Sequence, residues 1–211
     1  GVLLLVVSIG NTSFMGVPMV RAFFGEAGIP HLILYDQIGT MLIFASYGAV
    51  ILSLYSGERS NVPTIVKRAL LFPPTTALLI GLALRNWTYP QVVVNTLEDL
   101  GGALTALVMT AIGFQMKLRL QRTTLEPLGF GLAVKLMIAP LIALAGCRLF
   151  GLDSLAADIS IFEAGMPSMV TACALAAAAG IGVELAVAMA GLGILLAFAS
   201  LPLLYLLIQH L

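Results

Sequence analysis

Seven apolar stretches, each about as long as a bilayer is thick, constrain this chain more than any motif within it. They run Val2–Gly25, Ile29–Ser56, Ile65–Arg85, Val92–Met116, Leu125–Phe150, Leu155–Gly180 and Val183–Ile208. A helix rising ~1.5 Å per residue needs about 20 residues to cross roughly 30 Å of hydrocarbon, and each stretch reaches that length. The breaks between them are short and polar, or carry Gly or Pro: Gly57–Pro63, Asn86–Pro90, Lys117–Thr124 and Gly151–Ser154. None could separate two domains, so residues 1–211 read as a single transmembrane bundle. A membrane barrel would need strands of ~10 residues alternating polar with apolar. Runs such as Leu78–Leu84 and Leu192–Leu204 do not alternate, which leaves an all-α integral membrane fold.

Composition agrees. Charged residues make up 9% of the chain and hydrophobic ones 60%. A soluble domain carries about a quarter charged residues, so lipid is the solvent here. Ten basic residues balance ten acidic ones, which argues against nucleic acid as a partner. Cys147 and Cys173 fit neither a zinc spacing nor a disulfide framework and read as small buried hydrophobes. No metal site and no organic cofactor are expected. The opening at Gly1 lacks a basic leader, so no signal peptide is expected, and the sequence reads as starting partway through a longer protein. Arg59, Lys67 and Arg68 follow the second stretch, and Lys117, Arg119 and Arg122 follow the fourth, whereas the other side holds only Arg85 and Arg148. The excess of basic residues on one side should face the cytoplasm, placing the C-terminus, with its solvated His210, outside.

One local pattern occurs twice. The first stretch holds Gly16-Val-Pro18, with Asn11, Thr12 and Ser13 just upstream. The sixth holds Gly165-Met-Pro167-Ser168, with Ser160 and Glu163 upstream. Proline removes a helical hydrogen bond and clashes with the preceding turn; in hydrocarbon the freed groups must find partners or line a wet cavity. One such kink would mean little. Two, five stretches apart and therefore running in opposite directions, match the paired broken helices that inverted-repeat transporters place at their substrate site. Repeats of five imply ten helices in all, of which this chain would hold seven.

The residues Asn11-Thr-Ser-Phe-Met-Gly-Val-Pro-Met-Val-Arg-Ala-Phe-Phe-Gly25 resemble the fourth-helix motif of the auxin efflux carrier family, which includes plant auxin exporters and bacterial carriers for malonate and related carboxylates. Asp99-Leu-Gly-Gly with Ile112-Gly113, Phe162-Glu-Ala-Gly-Met-Pro167 and Leu201-Pro202 are similar to that family's seventh, ninth and tenth helices. The resemblance implies a fold like that of bile-acid sodium symporters, in which two broken helices cross at the substrate site and a transport domain moves against a scaffold. It assigns residues 1–56 to the last two helices of the first repeat and 64–208 to the second. It further assigns 65–116 to the scaffold, and 1–56 with 125–208 to the transport domain. This chain departs from the pattern at Phe72-Pro73, where the family usually has Asn-Pro, and at Glu163, an uncharged amide in plant members.

The expected function is secondary active transport of a small organic anion across the plasma membrane, the inner membrane if the source is bacterial. Its partners are the lipid bilayer and the anion; the chain admits a homodimer without specifying one. Asn11, Thr12, Ser13, Gly16, Pro18, Glu163, Gly165, Pro167 and Ser168 are the candidate substrate residues, because half-helix N-termini and uncharged donors suit a carboxylate. Ionisable groups inside a membrane are functional candidates by default, so Asp36, Lys135 and Glu163 are read as candidates for coupling to H+ or Na+. Blander readings stand beside them: Lys135 snorkelling or pairing, Asp36 acting as a structural partner near the outer interface, Glu98 and Asp99 structural, Arg21 reaching headgroups. The nearest rival is a cation/proton antiporter using Asp36, Glu163 or Asp158. An intramembrane aspartyl protease is disfavoured, since Tyr35-Asp36 has no Gly-x-Gly-Asp partner, and His31, expected in a turn, belongs to no Ser-His or His-Glu-x-x-His arrangement.

Overall fold

A computed structural model of the protein describes residues 1–56, 73–115 and 120–210. Arg59, Lys67, Arg68, Lys117 and Arg119, on which the orientation rests, lie outside the described residues, as do the Gly57–Pro63 break, the start of the third stretch and Phe72. No strand forms among the described residues; the elements are helices.

Three uninterrupted helices have the length and apolarity to cross a membrane: Glu26–Leu52 (α3), Arg122–Leu149 (α6) and Val183–His210 (α9). They correspond to the second, fifth and seventh stretches. The first and sixth are not single helices. Each is a pair of half-helices: Val2–Ser8 (α1) and Gly16–Phe24 (α2), then Leu155–Ala164 (α7) and Val170–Ala178 (α8). The third and fourth stretches are represented by Pro73–Ala83 (α4) and Gln91–Gln115 (α5).

Local chemistry explains several boundaries. Gly25 adopts φ 70°, a left-handed conformation open to glycine, and ends α2. Ser154 caps α7 by accepting the Ala157 N–H through its hydroxyl. Within α3 the ladder widens to π spacing at Tyr35–Thr40 and Phe44–Gly48, and within α6 at Val134–Ile138. Pro140 follows the last of these, and its ring would meet the Leu136 carbonyl in a regular helix, so the widened turn relieves that clash. Two of the three π turns carry the mid-membrane ionisable residues Asp36 and Lys135. His31 sits half-buried within α3 and not in a turn, because Gly28 and Pro30 start the helix before it.

The core forms around α1, which packs against α6, α8, α9 and the last turns of α3. Leu5, Val6 and Ile9 are buried, alongside buried Met166, Met169 and Met189. Small residues are buried on both helices where α8 meets α9 (Ala172 and Ala176 on one, Ala186 and Ala190 on the other), letting the backbones approach closely. Large apolar side chains point outward instead: Leu34, Ile38 and Leu42 on α3, Met137 and Ile142 on α6, Leu203 and Leu206 on α9. Apolar residues outside and charges inside is the arrangement lipid selects.

Candidate functional site

The first interruption covers Ile9–Met15. Ile9 turns extended (φ −118°, ψ 117°) as α1 stops. The second covers Gly165–Met169, between α7 and α8. The two gaps lie side by side and antiparallel, with Gly10 opposite Ser168. The Asn11 N–H donates to the Pro167 carbonyl at 2.7 Å, and the Met169 N–H donates to the Ile9 carbonyl at 2.9 Å. Each gap thus satisfies backbone groups that the other frees, in a layer where an unpaired group costs several kcal/mol. α9 backs the second gap through Gly193, where an added Cβ would lie 3.3 Å from the Pro167 ring.

Pro167 lies inside its gap, but Pro18 does not interrupt the first stretch. It sits in the first turn of α2, where a missing N–H is tolerated. The break is a turn earlier, at the polar run that pairs with the second gap. The N–H of Gly16 goes to Asn11 and that of Val17 to Ser13, while those of Thr12, Ser13, Phe14 and Met15 reach no backbone carbonyl among the described residues. They form the positive end of the α2 half-helix.

Two cavities flank the crossing. The larger, about 330 Å³, is lined by residues 10–14 of the first gap together with Val17, Leu32, Ile33, Asp36, Gln37, Met41, Gly101, Met169 and Thr171. The smaller, about 170 Å³, is lined by Ser8, Ile9, Gly10, Thr12, Tyr35, Gly39, Thr40, Ile43, Lys135 and Glu163. Gly10 and Thr12 are common to both walls.

The candidates Asn11, Thr12, Ser13, Gly16, Glu163, Gly165, Pro167 and Ser168 therefore gather at one place, joined by Asp36 and Lys135. One reading needs correction. Asp36 is 3% exposed and faces the first gap as a structural partner. It takes up the hydroxyls expected to meet substrate: Thr12 Oγ1 donates to its Oδ1 at 2.5 Å and Ser13 Oγ at 2.6 Å, while Gln37 Nε2 donates to Oδ2 at 2.6 Å. Among the candidate substrate residues, the buried side-chain donors left without a partner are Asn11 Nδ2 and Ser168 Oγ. Lys135 is 5% exposed and donates to the Ala164 carbonyl at 3.3 Å. Glu163 is fully buried with no hydrogen bond to either oxygen. An added Cβ on Gly16 would come within 2.7 and 2.9 Å of those oxygens, so Gly16 is what lets the carboxylate lie against α2.

Outside the crossing, Arg21 pairs with Glu26 at 2.6 Å on the surface, and Arg148 with Asp153 at 3.2 Å beside Asp158. Glu98 and Asp99 are exposed on α5. Gln37, Thr40 and Thr171 line the cavities without having stood out in the sequence, and Tyr35, weighed there only as part of a protease motif, lines the smaller one; the signal available was only that Tyr35 and Gln37 adjoin Asp36.

Residues 59–205 match the family described as "Membrane transport protein". The chain belongs to the auxin efflux carrier family. Curated relatives agree with this family of membrane transporters. An uncharacterized transporter of Methanothermobacter thermautotrophicus is 32% identical over 194 residues, 92% of this chain and 63% of that protein. An uncharacterized transporter of Methanocaldococcus jannaschii is 26% identical over 183 residues, 80% of this chain and 55% of that protein. The chain thus spans less than two thirds of either relative.

Proposed function

We propose that the protein acts in secondary active transport of a small organic anion, a carboxylate such as malonate or an auxin-like acid, across the plasma membrane. The observation that carries this reading is the larger cavity at the crossing. Its volume of about 330 Å³ suits an organic molecule better than a bare ion. Val17, Leu32, Ile33, Met41 and Met169 offer an apolar wall for a carbon skeleton. The free N–H groups of residues 12–15 and the unpartnered Asn11 amide offer donors for a carboxylate. The charge of Asp36 is already met by three donors, so it opposes an anion less than a bare carboxylate would.

The antiparallel pairing of the gaps supports an inverted repeat, one gap from each half. An elevator-type motion follows: residues 1–56 and 125–208 carry the site, and 65–116 serve as scaffold. The broad exposure of α5 along its described side chains, and the reach of its Gly101 to the cavity, support that division.

A specific observation favours a second reading. Asp36 in the cavity wall and Glu163 buried nearby are the groups a cation/proton antiporter would use. Uptake into proteoliposomes separates the two. Labelled malonate or indole acetate should accumulate under an imposed proton or sodium gradient. Exchange of labelled sodium for protons, with no carboxylate uptake, would overturn the anion reading in favour of the second.

A further inference from the structure

The positive end of α2 is approached from two sides. From the larger cavity it presents Ser13, Phe14 and Val17. From the smaller one comes Glu163, whose two oxygens would lie 2.7 and 2.9 Å from a Cβ on Gly16, the residue that opens this nine-residue helix. Glu163 is fully buried and neither oxygen has a hydrogen-bond partner. Lys135 lines the same small cavity, yet its ammonium donates to the Ala164 carbonyl and forms no ion pair with Glu163. A buried carboxylate without a donor settles here in the field of the helix end, with the Lys135 ammonium as the other positive group beside it.

We propose that Glu163 is a tethered competitor of the transported anion: ionised, it occupies the field of the α2 N-terminus, and a proton on it releases that field to the substrate in the larger cavity. The inference rests on the anion-carrier reading and adds to it the coupling ion, its site and the route of coupling. One proton joins one carboxylate oxygen and leaves again on the far side, and no other bond changes. Anion and proton then bind together and travel together, because each raises the affinity for the other by the same factor.

The groups acting on Glu163 are identifiable from each element packed on α7. Lys135 faces it from α6, and Asp36 and Tyr35 from α3. From α9, Tyr205 packs against the rings of Phe23 and Phe24. In the Glu26–Gly28 turn, Glu26 is engaged by Arg21. Lys135 therefore supplies the compensating positive charge.

The test is binding of labelled malonate to purified protein from pH 5 to 8, wild type beside Glu163→Gln. Taking the ratio of the two affinities at each pH cancels the ionisation of malonate itself. The ratio should be near one at pH 5. By pH 8 the wild type should bind roughly 5- to 150-fold more weakly than the variant, the usual span of coupling between sites. A ratio that does not change with pH overturns the proposal. Should Glu163→Gln not fold, Glu163→Asp serves instead: its shorter side chain withdraws from Gly16, and its affinity should fall less than wild type across that range, an equal fall being contrary. If neither protein binds malonate or indole acetate at any pH, the anion reading itself fails and this inference with it. A constant ratio with firm binding leaves the anion reading standing.

Discussion

Asp36 shows why single residues at this site resist reading one at a time. Its carboxylate gathers Thr12, Ser13 and Gln37, the first two from 24 and 23 residues away. The polarity of Asn11, Thr12 and Ser13 was legible, because polar side chains in an apolar stretch demand partners; which partner they take depends on a contact between helices that spacing does not encode. Asp36→Asn would set an amide donor among three donors, and about 1–3 kcal/mol of stability should be lost, read as a lower thermal midpoint in detergent. Thr12→Val leaves Ser13 and Gln37 in place and should cost less than Asp36→Asn; the reverse order would deny Asp36 its central role. Gly16 makes a second case. Gly16→Ala would drive a methyl into the Glu163 carboxylate, an overpacking expected to cost about 1–3 kcal/mol. In a Glu163→Ala background the same change should be nearly neutral, and an undiminished cost there would mean the clash lies elsewhere.

Among the elements, the break in the sixth stretch is more legible in the sequence than that in the first. Pro167 stands in its gap, flanked by Gly165 and Ser168, so a helix breaker and the break coincide. Pro18 misled by one turn because proline at a helix start is harmless; what interrupts the first stretch is the Ile9–Met15 run and its pairing with Pro167. The π turns were not legible, since a widened ladder leaves no period of its own in so short a span, and they set where Asp36 and Lys135 point. Deleting Ile38 from the Tyr35–Thr40 turn should restore regular α spacing. The widened turn holds one residue more than an α turn, so Phe44 and Ile51 should stay buried against the core while the aim of Asp36 and Gln37 at the first gap changes. Hydropathy hardly changes, yet malonate uptake should disappear; survival of uptake would mean the π turn has no part in building the site.

For the whole molecule, apolar length pointed to the membrane bundle, and the doubled Gly-x-Pro pointed to the two interrupted stretches, although in the first the break lies at Ile9–Met15 and not at Pro18. The side on which the basic loops lie rests on residues outside those described. The proposed division between moving and fixed helices predicts that α5 meets the cavity only along one edge. Gly101→Cys should be labelled by a small maleimide several-fold more slowly when malonate is bound, while Asp99→Cys, about 200° round the same helix, should be unaffected; equal protection of both would point to a change in the whole of α5. The central claim is that the two gaps touch. Gly10 and Ser168 form a non-hydrogen-bonded antiparallel pair, a geometry that brings Cα atoms to about 4.5 Å, within disulfide range. With the free Cys147 and Cys173 replaced by Ala, Gly10→Cys and Ser168→Cys together should cross-link under mild oxidation in the membrane, blocking later maleimide labelling of both. Two thiols that remain free and fully labelled after oxidation would contradict the crossing, and with it the site built upon it.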